Sequence, residues 1–395
     1  MRVGRRAAIV GLAEWAPQRH WDKPMFTLEA FARLTREACD DAGIEPGEID
    51  GILSHGVSES PLFGPSAVAE YLGIAANYAE VVDLGGSSSA GMIWRAVAAI
   101  EAGACDTCIC LTSTVPAPSE PGATFNMNRL YLGADAWGSP HGQFDIPYGL
   151  NNPNSHFAMV ATRYMHEFGT KPEQLAKVAV DQRFNALANP KAFFKQPIDI
   201  DDVLNSPYIV DPLHMLEIVM NGFGGAAVVV TTLERAQQLR NRPVVLTGFG
   251  EHVTHKSITY APTLVVSPIQ AAADRAFKMA SVRRTDIDMA SMYDCYTITV
   301  LLTIEGSGFC GLGEAGRFVE EHDLTYRGDW PLNTHGGQLS MGQAGMAGGM
   351  SHVTEAVLQL QGRAGARQLP VCERAYVTGT GGFMSEQAAL ILEGA

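Results

Sequence analysis

Near its start this chain has no apolar run long enough to cross a bilayer: Ala7 to Ala13 is too short for a membrane span or a signal peptide. No membrane span and a cytoplasmic, reducing setting are therefore expected. An excess of positive charge is missing too. Lys and Arg number 28 against 42 Asp and Glu, a formal net charge of −14, which opposes non-specific attraction to nucleic acid or anionic lipid. The short basic clusters Arg283-Arg284 and Arg240-Asn241-Arg242 read first as solvated helix ends. Seven cysteines, at 39, 105, 108, 110, 295, 310 and 372, are an odd number without the dense spacing of a secreted disulfide scaffold. One Cys-x-x-Cys, Cys105 to Cys108, lies in an apolar run, and no second one completes a zinc site. Buried thiols and no metal site are expected.

Disorder is equally absent from the composition. With 46% hydrophobic and 18% charged residues the chain has a globular make-up. Its 395 residues suffice for two average domains or one double-layered α/β body. Ala7 to Leu12 reads as a buried strand. Leu28, Phe31, Leu34, Ala38 and Ala42 then recur at helical spacing, with Thr27 as the expected cap and Gly43 as the stop. A strand over 50–56, a helix over 66–72, a strand over 80–84, a helix over 90–102 and a strand over 105–112 follow, the alternation of parallel βαβ units. Between Ser113 and Asn154 the periodicity dissolves into Pro, Gly, Asn and aromatics, among them Tyr131, Trp137 and Tyr148. That stretch is too long for an ordinary connection and is expected to cover a site or form subunit contacts. Helices return over 155–168 and 172–188, then a strand over 224–232 and a helix over 233–240.

From Pro243 the order repeats. Val244 to Gly248 echoes the opening strand, 268–281 the first helix, and 287–293 the strand at Asp50. Leu332-Asn333-Thr334-His335-Gly336-Gly337 before a helix matches Val82-Asp83-Leu84-Gly85-Gly86 before a helix, and 375–378 and 387–392 supply the closing strands. Two copies of one α/β unit are expected: residues 1–242, with an insertion at about 113–222, and residues 243–395.

The glycine-rich stretch Asn333 to His352 runs into a helix expected over 353–360. Glycines before a helix let backbone N–H groups approach a ligand, and the helix N-terminus adds positive potential there. This stretch resembles the active-site loop of the thiolase superfamily, and the resemblance extends over essentially the whole chain. It implies a thiolase-like α/β fold of duplicated βαβαβ units in five layers, α/β/α/β/α. In that alignment Gln343 stands at the loop histidine, and Thr378 of Thr378-Gly379-Thr380-Gly381-Gly382 stands at the second acid/base cysteine. Gly86, or Ser88 after a two-residue slip, stands at the nucleophilic cysteine. A serine is a weak nucleophile without an adjacent base, so the Gly-Gly-Ser-Ser-Ser turn is read first as a helix cap lining the pocket. Tyr293-Asp294-Cys295-Tyr296 is similar to the His-Asp-Cys-Phe of sterol-carrier-type thiolases, with Tyr293 on the histidine. A tyrosine there, with Asn333-Thr334-His335-Gly336-Gly337, also resembles the bacterial steroid side-chain-degrading aldolases. Those enzymes share the fold, need no cysteine, and carry a second tyrosine where this chain has Gln343.

The resemblance therefore implies a carbon-carbon lyase that cleaves a bulky, steroid-like or aromatic β-hydroxyacyl-CoA by a retro-aldol step. Tyr293, His335 and Gln343 are the catalytic candidates. Gly86, Ser87, Ser88, Asp294, Tyr296, Gly337, Ser340, Thr378 and Gly381 are candidates for contacting substrate. Coenzyme A enters as part of the substrate, its phosphates within the scope of the two basic clusters, and no tightly bound cofactor is implied. A homodimer is implied, with a small partner built from a zinc ribbon and an oligonucleotide-fold domain. The alternatives are a thiolase-type acyltransferase using Ser88 or an unassigned thiol, and a non-catalytic acyl-CoA-binding or scaffold subunit. Two further expectations follow. No cysteine should reach the pocket bounded by Gly85 to Ser88, Gln343 and Thr378, and Tyr293 and His335 should face one cavity.

Overall fold

The computed structural model describes residues 6–118, 138–139 and 141–395. Tyr131 and Trp137 lie outside the described residues. The first half contains β1 (Ala7–Glu14), α1 (Thr27–Ala42), β2 (Gly51–Ser54), α2 (Gly64–Leu72), β3 (Tyr78–Val81), α3 (Ser88–Glu101) and β4 (Thr107–Thr114). A connecting region follows with α4 (Pro153–Phe168), α5 (Pro172–Leu187), α6 (Ile200–Leu204) and the ribbon of β5 (Tyr208–Val210) and β6 (Leu213–His214). Then come β7 (Gly224–Thr232), α7 (Leu233–Ala236), β8 (Val244–Val253), α8 (Ile269–Ala280), β9 (Met289–Ser291), α9 (Thr297–Gly306) and α10 (Ala315–Glu321). α11 (Gly348–Leu360), β10 (Arg374–Gly381) and β11 (Glu386–Gly394) complete the chain. Among the described residues no helix is long and apolar enough to cross a membrane.

The repeat is visible in strand order. The main sheet runs β3-β2-β4-β7-β1-β8-β11-β10-β9. Read inward from its two ends it gives β2-β4-β7-β1 and β9-β10-β11-β8, each with one parallel pair followed by two antiparallel ones. The two halves meet at a short seam, Ala8 with Val245 and Ile9 with Val244. Where β3 flanks β2, the second half has the single bridge Ala290 to Leu332.

Alternation along the strands sorts the core into layers, because successive side chains point to opposite faces. In β1, Ala8 and Val10 pack with Phe31, Leu34 and Ala38 of α1, whereas Ala7 and Ile9 join an inner cluster. That inner cluster takes Met92, Ile93 and Ala96 from α3, Val353 and Val357 from α11, and Val377 and Leu390 from the second half-sheet. On its far side Tyr376 and Ile391 face Ala273 and Phe277 of α8. Helix, sheet, central helices, sheet and helix are thus the five layers. α3 and α11 are buried nearly all round, as a helix between two sheets must be. Each fully buried Val, Leu, Ile or Met contributes roughly 1.5–3 kcal/mol.

Local differences from the sequence reading have physical causes. Thr27 does not cap α1; it is the first helical residue, and its amide donates to the Glu59 carboxylate instead. The strand expected over 287–293 stops at Ser291, because the amides of Met292 and Tyr293 turn to the side chains of Asn333 and Thr378. α11 starts at Gly348, five residues before the expected Val353, and the helix expected to reach residue 240 ends at Ala236.

A bulge followed by a glycine is duplicated as well. The register skips Val10 before Gly11 in β1 and Thr247 before Gly248 in β8. In both places the first outer helix lies against the glycine. A Cβ on Gly11 would stand 2.5 Å from the Ala38 carbonyl oxygen, and one on Gly248 would stand 2.1 Å from that of Ala276. Gly248→Val should therefore force α8 off β8 and destabilise by about 1–3 kcal/mol, the usual cost of overpacking. Equilibrium urea denaturation checks this.

Candidate active site

The site forms where the two central helices begin. The turn Gly85–Ser87 leads into α3 and the turn Gly345–Ala347 leads into α11. The two backbones touch: a Cβ on Gly349 would lie 2.4 Å from the Gly86 carbonyl oxygen. A Cβ on Gly86 would itself lie 2.3 Å from the Tyr293 hydroxyl and 2.4 Å from the Thr380 carbonyl oxygen. Only glycine fits there, and both helix N-termini direct their positive ends to one place.

A cavity of about 750 Å³ opens over this floor. Its wall is largely apolar, with Phe157, Phe193, Phe194, Ile218 and Met346, while Tyr293, Gln343, Cys295, Thr380 and Asn154 supply polar groups. Tyr293 is 5% exposed. Gln343 Nε2 donates to its phenol oxygen at 3.0 Å, and its amide donates to Thr378 Oγ1 at 3.1 Å. Tyr296 stacks on Phe157 with centroids 4.3 Å apart, and its hydroxyl donates to Asn154 Oδ1 at 2.7 Å.

Behind Tyr293 lies a polar interior closed to solvent. Asp294 accepts from the amides of Gln338 (2.8 Å) and Leu339 (3.2 Å). His352 Nε2 lies 3.2 Å from Asp294 Oδ1, and its Nδ1 lies 3.1 Å from Ser291 Oγ. Burial raises the Asp294 pKa, and His352 and the two amides only partly offset it. His335 is 1% exposed, its ring set edge-on to His352 at 5.2 Å, and neither ring nitrogen has a hydrogen-bond partner. Burial, then His352 and Arg367, hold its pKa well below the usual histidine range.

Four of the residues named from the sequence line the cavity: Tyr293, Gln343, Gly86 and Tyr296. The others stand behind it. His335 is not among the described residues that line the cavity, so it does not share one with Tyr293; its imidazole is buried and held neutral. Ser88 Oγ accepts from the Leu84 amide at 2.8 Å, which makes it a turn-capping group, and Ser87 is fully buried. Thr378 holds the Tyr293 backbone, and Ser340 Oγ accepts from Arg183 Nε at 3.0 Å. Gly337 and Gly381 are packing positions, where a Cβ would stand 2.1 Å from Asp294 Oδ2 and 1.9 Å from the Leu84 carbonyl oxygen. Asp294 is buried with these.

The expectation of a pocket without cysteine is corrected: Cys295 lines the wall. Its thiol is pushed well above the ordinary range by burial and then by neighbouring Asp294, so it is protonated at neutral pH and a poor nucleophile. The alternation of Tyr293 and Cys295 about a buried Asp294 was the sequence signal that could have placed it. Asn154, Thr380 and Phe157 carried no such signal. The basic clusters are neutralised locally: Arg283 pairs with Asp286, Arg284 with Asp274 and Arg242 with Glu373, while Arg240 donates to the Asp40 carbonyl.

The neutral His335 has a consequence for stability. A histidine whose pKa is depressed in the fold takes up a proton only on unfolding, so it penalises the folded state as pH falls below about 6.5. Its contribution is complete above that value and is lost toward acid with a slope of up to about 1.4 kcal/mol per pH unit. His335→Phe should flatten the fall in stability between about pH 6.5 and pH 5 relative to the unchanged chain. Urea denaturation across that range is the measurement.

Comparison with known proteins agrees with this fold. Residues 250–394 match the family model described as Thiolase C-terminal domain-like. The steroid side-chain-cleaving aldolase of Thermomonospora curvata is 31% identical over 386 residues, spanning 95% of both chains. The 17-hydroxy-3-oxo-4-pregnene-20-carboxyl-CoA lyase of Mycobacterium tuberculosis is 32% identical over 366 residues, spanning 90% of this chain and 92% of that protein. The solved structure of the Ltp2-ChsH2(DUF35) aldolase superposes with a TM-score of 0.86 at 29% identity, covering 99% of this chain and 98% of that one. With identity at this level over nearly the full length of both partners and the same duplicated fold, the chain belongs to the thiolase superfamily, in its sterol-carrier-type aldolase branch.

Proposed function

We propose that the chain is a carbon-carbon lyase that cleaves a bulky β-hydroxyacyl-CoA by a retro-aldol step, with no covalent cysteine intermediate. The observation that carries this reading is the Tyr293 phenol on the floor of an apolar cavity, with Gln343 donating to its oxygen. A hydrogen bond into that oxygen stabilises negative charge on it and so favours the phenolate, the form that accepts a proton. The named activities of the relatives, side-chain cleavage of a steroid and lysis of a pregnene carboxyl-CoA, point to the same class of substrate. The aromatic wall of Phe157, Phe193 and Phe194 suits a steroid-like or aromatic acyl group.

The chemistry balances without an outside oxidant. Deprotonated Tyr293 takes the proton of the β-hydroxyl; the O–H pair becomes the C=O bond, the bond between Cα and Cβ breaks, and its pair moves to the α-carbon as a thioester enolate. The N-terminal ends of α3 and α11 face the developing charge on the thioester oxygen. Tyr293 then returns the proton to the α-carbon, leaving a ketone and a shortened acyl-CoA. Binding the thioester against two helix ends orients the β-hydroxyl toward the phenol, and the apolar wall keeps water from the enolate. In this scheme His335 takes no part in proton transfer, since it lies outside the cavity lining.

The working unit we propose is a cytoplasmic homodimer of chains with thiolase halves 1–242 and 243–395, assisted by a small protein with a zinc ribbon and an oligonucleotide-fold domain. The double name of the solved relative supports a protein partner. The outer edge of β3 supplies backbone groups that a second copy could pair with.

Tyr293→Phe should lower turnover of a β-hydroxyacyl-CoA by roughly 100-fold or more while leaving CoA-ester affinity and thermal stability near unchanged. Cys295→Ala should retain activity, and mass spectrometry should find no acyl adduct during turnover. An acyl adduct on Cys295 would move the chain to the acyltransferase reading, whereas full activity of Tyr293→Phe would remove Tyr293 from the mechanism and leave His335 as the candidate base.

A further inference from the structure

Away from the cavity, three side chains converge that the sequence did not mark. His141 and Asp145 lie on one turn, and His156 lies in the first turn of α4. All three are at most 1% exposed, and one candidate ligand atom from each lies within 4.8 Å of the others. We infer that His141, Asp145 and His156 form a binding site for one divalent transition-metal ion of the zinc type.

The geometry fits two nitrogens and a carboxylate around one cation. His141 Nδ1 donates a hydrogen bond to Asp145 Oδ2 at 2.9 Å, a proton that a bound cation would displace, and His156 Nε2 lies 3.9 Å from the same oxygen. Bonds of about 2.0–2.1 Å to a tetrahedral zinc ion set ligand atoms about 3.3 Å apart, between these two values. Three protein ligands leave one position for a small fourth ligand such as water.

The surrounding hydrogen bonds are those a ligand set needs. His156 Nδ1 donates to the Asn152 carbonyl at 2.9 Å, so Nε2 presents a bare lone pair. That Nε2 is buried, has no hydrogen-bond partner, and faces Asp145, itself an acceptor. An acceptor facing an acceptor in a dry interior is costly, and a cation between them removes the cost. Asp145 is oriented by the hydroxyls of Ser257 and Thr259, as ligating carboxylates usually are. The Phe383 ring stacks on His156 with centroids 3.8 Å apart and lies 5.6 Å from His141, covering the cluster.

The role that follows is a brace for the cavity wall. Asn152, Asn154 and Gly382 line the cavity, whereas, of the described residues, none of the three ligands does. The ion would tie together the turn before α4, the segment 257–259 and the neighbourhood of Phe383, and so fix Asn154 where it holds Tyr296. This site is independent of the reaction proposed above.

The test uses the full chain, free of any affinity tag and purified without chelator. Elemental analysis should find about one zinc-type ion per chain. After chelator dialysis, titration with Co²⁺ should give the visible absorption of a four- or five-coordinate ion and should raise the melting temperature. His156→Ala should weaken Co²⁺ binding by at least about 100-fold. His141→Gln is the second variant, and circular dichroism shows which variants remain folded. Absence of bound metal together with no Co²⁺ absorption in the unchanged chain would overturn the inference. So would undiminished Co²⁺ binding in either folded variant.

Discussion

Two helices that start at the same point, each buried between the halves of one sheet, set the terms for the rest of this molecule. The turn leading into the first and the opening turn of the second touch through Gly86 and Gly349, and no side chain fits between them. That contact needs two half-sheets of the same strand order facing each other across a shared apolar layer, which the duplication supplies. It also places two positive helix ends at the bottom of one cavity, where an anion or a polarised carbonyl is favoured.

Around that point the protein separates what touches a ligand from what holds the touching groups still. Tyr293 and Gln343 face the cavity. Thr378, Asp294 and Ser88 accept from backbone amides, and Ser340 accepts from Arg183. Removing water from this second group makes each of its hydrogen bonds harder to break, since a buried polar group left without a partner costs about 1–3 kcal/mol. The phenol therefore sits on a rigid support although it lies two residues beyond a strand of only three.

Much of the architecture was legible because it rests on periodicity and repetition. The echo of Val82 to Gly86 in Leu332 to Gly337 marks the starts of the two central helices, and the alternation in β1 marks its two faces. Tyr293 and Gln343 were legible from resemblance at motif positions. Burial of polar groups was not. A histidine before two glycines gives no sign of whether its ring points to a cavity or into a dry interior, so His335 was assigned to the wrong surroundings. Cys295 aligns with none of the thiolase catalytic cysteines, so nothing in the motif marks it as the thiol that a short turn brings to the wall. The cluster at 141–156 joins residues to partners at 257–259 and 383, and such long-range meetings leave no local pattern.

The close approach at Gly86 has an evolutionary reading. In the gapless thiolase alignment, as opposed to the slipped one with Ser88, position 86 corresponds to the nucleophilic cysteine, and here any side chain at 86 would overlap the Tyr293 ring, 2.3 Å from the Cβ that would carry it. Cysteine and phenol compete for the same volume, so the two catalytic strategies are mutually exclusive in this frame. A path between them requires changes at both positions, and the intermediate with both groups is crowded while the one with neither is chemically silent. The effects of such a pair of changes are strongly non-additive.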